Sequence, residues 1–142
     1  MTIDAPADLG RALLDPEHAS KLHEVPVGVW LECLRDFPET SFAMAHSRET
    51  PREVLAAIAI GPDVRSRSRL AMRADLDPEL VRVLAGDPDS GVVGHASCHR
   101  NATQQVLEAL ATHPWAKVRD RALDRLRRRD YRRLSPSSGP DD

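Results

Sequence analysis

The residues best placed to do chemistry are His95, Cys98 and His99, which fall within five consecutive positions. His95 and His99 are four apart and so share one face of a helix. Imidazoles at that spacing can chelate zinc, but a structural zinc site takes four ligands and only three are local. The other histidines, His18, His23, His46 and His113, are scattered. Solvated histidines, with no metal and no cofactor, are the expectation. The chain has no P-loop, no G-x-G-x-x-G, no G-x-S-x-G and no H-E-x-x-H. No motif therefore declares a nucleophile, a base or a phosphate cradle. No catalytic residue is assigned, and a non-enzymatic role is expected. Two cysteines, Cys33 and Cys98, make no disulfide framework. Cys33 falls at a core position and Cys98 on the outer side of a helix.

The second chemical feature is arginine. Arginine outnumbers lysine 18 to 2, and its planar fork suits carboxylates and phosphates. A GC-rich genome is the plainer expectation for that bias. The charge is also unevenly placed. Residues 1–64 sum to −6 and residues 65–142 to +4, within a net charge of −2. Residues 117–133 alone hold nine Lys/Arg against three Asp. That run fits a long terminal helix whose dipole favours cations near its C-terminal end. It also fits a contact with an acidic partner or a nucleic acid.

Positioning these side chains requires many short helices. Nine prolines fall at 6, 16, 26, 38, 51, 62, 78, 88 and 114, and a helix tolerates proline only in its first turn. Units starting at 26, 51, 77 and 103 align with one another. Three, four and seven residues after each start stand Val29, Trp30 and Cys33; Val54, Leu55 and Ile58; Leu80, Val81 and Leu84; and Val106, Leu107 and Leu110. Each set is one face of a helix. A second helix follows Pro38, Pro62, Pro88 or Pro114. Four and eight residues past those prolines stand Phe42 and His46, Ser66 and Leu70, Val92 and Ala96, and Val118 and Ala122. Thr50-Pro51-Arg52-Glu53 has the form of a capping box, Asp15 and Asp77 each precede a proline as N-caps, and Asn101 with Gln104 is a looser version. No alternating strand pattern of useful length is present. The predicted core is Leu13, Trp30, Leu34, Val54, Leu55, Ile58, Leu70, Val81, Leu84, Val106, Leu107, Leu110, Val118 and Ala122.

Units reading P-x-x-V-L-x-x-L-A-x-x-P and then x-x-x-V-R-x-x-V-A resemble leucine-rich repeat variant units, a bacterial relative of the HEAT and armadillo solenoids. The resemblance covers about residues 26–126. It is good at Val54-Leu55, Ile58-Ala59, Val106-Leu107, Leu110-Ala111, Val118-Arg119 and Ala122, and poor from Phe42 to His46. It implies an all-α fold, a short right-handed α-solenoid of four to five such repeats, with the second helix of each pair short or 3₁₀-like. Some members carry an N-terminal cysteine cluster for an iron–sulfur centre, which this chain lacks. The expected organisation is one domain over residues 1–134. It has a degenerate cap at 6–25, repeats at 26–50, 51–76, 77–102 and 103–126, and a capping helix to about 134. Residues 135–142, SPSSGPDD, are expected to be a disordered tail.

Three, seven and eleven residues past each second proline, the second helices present a stripe. It holds Arg65, Arg69 and Arg73; then Gly91, His95 and His99; then Lys117, Arg121 and Arg125. In the unit at 26 the same positions are Ser41, Ala45 and Glu49. Stacked repeats set equivalent positions side by side. The stripes are expected to merge into a basic plate with a low spot at Gly91 and Gly94, strengthened as His95 and His99 protonate. The expected function is a protein-interaction module, an adaptor or an immunity-type inhibitor, engaging an acidic protein surface. A HEAT-like nucleic-acid-binding protein is the alternative. With only five aromatic residues, single-strand stacking is not expected. No apolar run approaches the ~18 residues of a membrane helix, and MTIDAPADLG does not read as a signal peptide. A cytoplasmic, monomeric protein is the expectation.

Overall fold

The computed structural model describes residues 3–134, and every regular element among them is helical. The predicted tail at 135–142 lies outside the described residues. The chain groups into two compact units, one ending at Arg73 and one beginning at Ala74.

The first unit holds α1 (Pro6–Leu13), a 3₁₀ segment (Pro16–Glu24), α2 (Val27–Asp36), a 3₁₀ turn (Pro38–Thr40), α3 (Ser41–His46), α4 (Arg52–Ala59) and α5 (Val64–Ala71). Within it α2 packs on α1 and α4, and α3 packs on α4 and α5. The second unit holds α6 (Pro78–Ala85), α7 (Ser90–Cys98), α8 (Gln104–Leu110) and α9 (Ala116–Leu134). There α6 packs on α7 and α8, and α9 on both α7 and α8.

The prolines start these helices as their missing N–H requires. Pro6, Pro16, Pro38 and Pro78 stand in first turns. Pro62 and Pro88 instead precede N-cap aspartates. Asp63 accepts from the Ser66 amide at 3.2 Å, and Asp89 from Gly91 and Val92 at 2.9 and 3.1 Å. Asp77 caps α6 through Leu80 at 2.9 Å, and Asp15 accepts from Glu17 at 3.0 Å. Two expected caps do other work. Thr50 is buried, and its hydroxyl donates to the Met44 carbonyl at 2.5 Å; the N-cap of α4 is Pro51. Asn101 donates to the Leu76 carbonyl at 2.7 Å, while Thr103 caps α8 through Val106 at 3.2 Å. Both threonine and asparagine side chains go to a nearby carbonyl that has no helical partner, which satisfies a buried acceptor.

Twelve of the fourteen predicted core residues are buried. Leu13 and Leu34 are half-buried, because α1 and α2 end near the surface there. The second helix of the first repeat is out of the expected register. Phe42 and His46 are exposed, and Ser41, Met44 and Ala45 are buried. Pro38 begins a 3₁₀ turn where the later repeats place an N-cap, so α3 starts three residues after its proline and α5 and α7 start two after theirs. Ser41 then lies against Ser66, hydroxyl to hydroxyl at 2.7 Å, and Ser66 donates to Asp63. Trp30 is fully buried, and its indole N–H has no acceptor among the described residues.

Candidate functional site

The predicted basic stripe divides between the two units, and each part stands by itself. In the first unit Arg73 is buried. Its Nη1 donates to the carbonyls of Ala45 and Ser47 at 2.9 and 2.7 Å. These oxygens close α3, whose C-cap is Ser47. A helix leaves its last carbonyls without amide partners and carries partial negative charge there. The guanidinium answers both. Arg69 Nε donates to His46 Nδ1 at 3.0 Å, which requires that imidazole nitrogen to be unprotonated. Arg67, outside the predicted stripe, donates to the Gly61 carbonyl at 2.7 Å at the end of α4. Arg65 lies over the exposed Phe42 ring, 4.9 Å from its centre, a contact worth roughly 0.5–1 kcal/mol at such a site.

The second unit repeats the arrangement. Arg125 Nη1 donates to Ser97 and His99 carbonyls, both at 2.8 Å. His99 is the C-cap of α7, so the acceptors are again the cap residue and the residue two before it. The separations, 28 and 26 residues, match those of Arg73. Burial first, and then the neighbouring Arg129 charge, push the Arg125 pKa below the usual arginine value. Arg129 donates to the Ala102 carbonyl at 2.6 Å. Arg119 reaches the His113 carbonyl at 3.4 Å, the counterpart of Arg67. Arg121 makes longer contacts, 3.3 Å to the Gly94 carbonyl and 3.5 Å to the Ser97 hydroxyl.

These bonds correct the picture of a uniform solvated plate. Arg73 and His99 are buried and Arg125 is half-buried, so the deepest row of the stripe closes helix ends. Nor do His95 and His99 share a helical face. α7 stops at Cys98, and His99 is extended, with φ −68° and ψ 135°. His99 Nδ1 accepts from the Asn101 amide at 3.0 Å, so a charge on this ring would break that bond. Of the two, only His95 is exposed. In the first repeat Ser41 and Ala45, placed on the stripe by sequence, are buried instead.

The two glycines have reasons inside the chain. A Cβ on Gly94 would stand 3.3 Å from the Trp115 ring, so the hollow there seats a tryptophan. A Cβ on Gly91 would stand 3.0 Å from the Asp89 carboxylate that caps this turn. Among the described residues, no group of three or more His, Cys, Asp or Glu could hold a metal ion, and no helix is long and apolar enough to cross a membrane. Both cysteines are free; burial raises the pKa of Cys33, and Cys98 is exposed. A cleft of about 150 Å³ between α2 and α4, lined by Leu34, Pro38, Ala57, Ile58 and Pro62, is below the size that usually encloses a small-molecule ligand.

What stays exposed is concentrated on α9. At 19 residues it is the longest helix, yet only Val118 and Ala122 are buried. Lys117 and Arg121 lie on its side nearest α7. The same side continues by steps of three and four to Arg128 and Arg132, which the repeat-based reading missed because it stopped at residue 126. Lys117, Arg127 and Arg132 make no ion pair among the described residues, whereas Arg128 pairs with Asp124 at 3.0 Å and Arg133 with Asp130 at 3.3 Å. No family model matches this chain, and no curated protein and no solved structure is detectably similar to it.

Proposed function

We propose that the chain is a non-catalytic binding module, a short α-solenoid of leucine-rich-repeat-variant-like units, that engages an acidic surface of another protein through α9. The observation that carries this reading is the division of labour among the basic residues. Six arginines, Arg67, Arg73, Arg100, Arg119, Arg125 and Arg129, donate to backbone carbonyls of the chain, and Arg69 donates to the His46 ring. Lys117, Arg121, Arg127 and Arg132 do not close a helix end, and all four are exposed. Cations held side by side in water repel one another unless an anion lies over them. Three aspartates on the same helix, Asp120, Asp124 and Asp130, suit a partner of mixed charge better than a continuous phosphate backbone.

The test is fluorescence polarisation with a labelled glutamate-rich peptide and a labelled DNA duplex over a salt series. The peptide is expected to bind, and Lys117→Glu with Arg132→Glu is expected to weaken it about tenfold or more. Neither substitution removes an internal bond, so the circular dichroism spectrum should not change. Binding of the duplex alone, with the steep salt slope of phosphate contacts, would replace this reading with nucleic-acid recognition. Binding of neither probe would refute both.

A further inference from the structure

The cleft between α2 and α4 lies wholly in the first unit and plays no part in binding at α9. Beside its apolar walls, three oxygen-bearing side chains line it: Ser41, Asp63 and Ser66. Of the lining residues only Asp63 is charged, and it is exposed. The protons of the two hydroxyls are already committed. Ser66 Oγ donates to Asp63 Oδ2. The 2.7 Å contact between the two hydroxyls therefore runs from Ser41 to Ser66. Asp63 Oδ2, at 3.5 Å, is the more distant acceptor for the Ser41 proton. What these side chains have left to offer is acceptors alone. Ser41, only 8% exposed, keeps lone pairs. Both Ser66 bonds to Asp63 fall on Oδ2, and a carboxylate has about four acceptor sites on its two oxygens. Room remains there for a further donor, even beside the Arg65 amide. The fold adds to this polarity. Leu34 is in the last turn of α2, and Ala57 and Ile58 in the last turn of α4, so two helix C-termini bring partial negative charge to the cleft. The opposing N-terminus of α5 is capped by Asp63 itself. The arginines of these elements are turned to other groups: Arg35 to Asp36, Arg65 to the Phe42 ring and Arg67 to the Gly61 carbonyl.

We propose that this cleft binds a free primary amine with a compact apolar body, its ring or branched carbons against Leu34, Pro38 and Pro62 and its ammonium at Asp63 and Ser41. Size and chemistry select this ligand together. About 150 Å³ is too small for a drug-sized molecule, but an apolar space of about that volume admits benzene. An ammonium donates and accepts nothing, which matches a site whose hydroxyl protons are spent. An alcohol would bring lone pairs for which these side chains have no donor. A carboxylate or phosphate would face Asp63 and two helix C-termini. A lysine of another protein carries the same ammonium, but its thin stem leaves much of a ring-sized space without contacts.

The test titrates the ¹⁵N-labelled full chain at neutral pH with benzylammonium, and with methylammonium, benzyl alcohol and benzoate for comparison. Benzylammonium is expected to bind with a dissociation constant on the order of millimolar, with amide shifts centred on Leu34 and on Ala57 to Ser66. Methylammonium, which lacks the ring, and benzyl alcohol, which lacks the charge, should each bind about threefold or more weaker. Benzoate should not bind. Asp63→Asn should weaken benzylammonium about threefold or more and leave benzyl alcohol unchanged. Ala57→Leu, at a half-buried wall position, should fill the cleft and abolish binding of both. If Asp63→Asn fails to fold for want of its cap, the ligand series and Ala57→Leu still decide. The inference is wrong if benzylammonium does not bind, if benzyl alcohol or benzoate binds as tightly, or if Ala57→Leu changes nothing. Shifts centred away from the cleft also overturn it. So does tighter binding of Nα-acetyl-lysine amide than of benzylammonium, which would give the cleft to a lysine of another protein. The reading of α9 stands or falls separately, since none of these probes tests it.

Discussion

Replacing Arg125 separates a helix-closing arginine from a surface charge. In Arg125→Met the aliphatic stem is kept and the guanidinium is lost. The Ser97 and His99 carbonyls then lose donors at 2.8 Å each. His99 O keeps the Ala102 amide at 3.1 Å, so the larger loss falls on Ser97 O and the end of α7. Both bonds come from one nitrogen, so they count as one charge-assisted interaction, worth roughly 1.5–3 kcal/mol. Half-burial and repulsion from Arg129 oppose holding the charge there, which sets the expected cost at about 2 kcal/mol. For a chain of this size that lowers Tm by about 5–8 °C. Arg125→Lys should recover less than half of it, because the lysine stem is shorter and its ammonium is more strongly hydrated, so it is held less well beside half-buried carbonyls. Thermal unfolding by circular dichroism measures the loss, and amide exchange at Ser97 to Ala102 locates it. A Met variant that melts within about 1 °C of the parent, with unchanged exchange, would refute the reasoning.

Asp63 sets an acid limit. The Ser66 hydroxyl first, and then the Ser66 amide, hold its carboxyl below the ordinary 3.8 against an opposing effect of burial. A depressed folded pKa gives stability that is present above the unfolded value and lost as pH falls through the folded one. Asp63→Asn should therefore be less stable than the parent in urea at neutral pH, with the gap closing below about pH 3.8; an equal gap at both pH values contradicts this. Gly94→Leu should displace the Trp115 ring that a Cβ would already approach to 3.3 Å. In a Trp30→Phe background, which leaves Trp115 as the one indole, its fluorescence should shift to the red, and an unchanged spectrum would mean the ring is not seated there.

Much of the fold is legible because helix faces and proline positions are local properties. What failed was the choice of origin. Counted from the second proline, the first repeat is out by one, because Pro38 stands twelve residues after its unit start while Pro62, Pro88 and Pro114 stand eleven after theirs. Counted from the unit starts, Ser41, Ser66, Val92 and Val118 are all at the fifteenth position, and Ala45, Leu70, Ala96 and Ala122 at the nineteenth. All eight are buried. Hydrophobicity could not reveal this, since two of the eight are serines that satisfy each other at 2.7 Å. The aligned distances, not the residue types, hold the register.

The destinations of the arginines are harder to read, because spacing fixes which side of a helix a guanidinium leaves and not where its long stem ends. A signal was nonetheless present at twice the repeat. Arg67, Arg69 and Arg73 recur 52 residues later as Arg119, Arg121 and Arg125, with Val93, His95 and His99 in the repeat between. Arg65 recurs as Lys117. A solvated charge tolerates that exchange, since either cation serves. A cation held at carbonyls in a buried or half-buried place does not, because the ammonium has the shorter stem and the stronger hydration. The one position that alternates Arg with Lys, Arg65 and Lys117, donates to no carbonyl of the chain, and both of its residues are exposed. At the Arg73 and Arg125 position, where one guanidinium nitrogen reaches two carbonyls, both units keep arginine; at the Arg65 and Lys117 position, where no such bond is made, the cation varies.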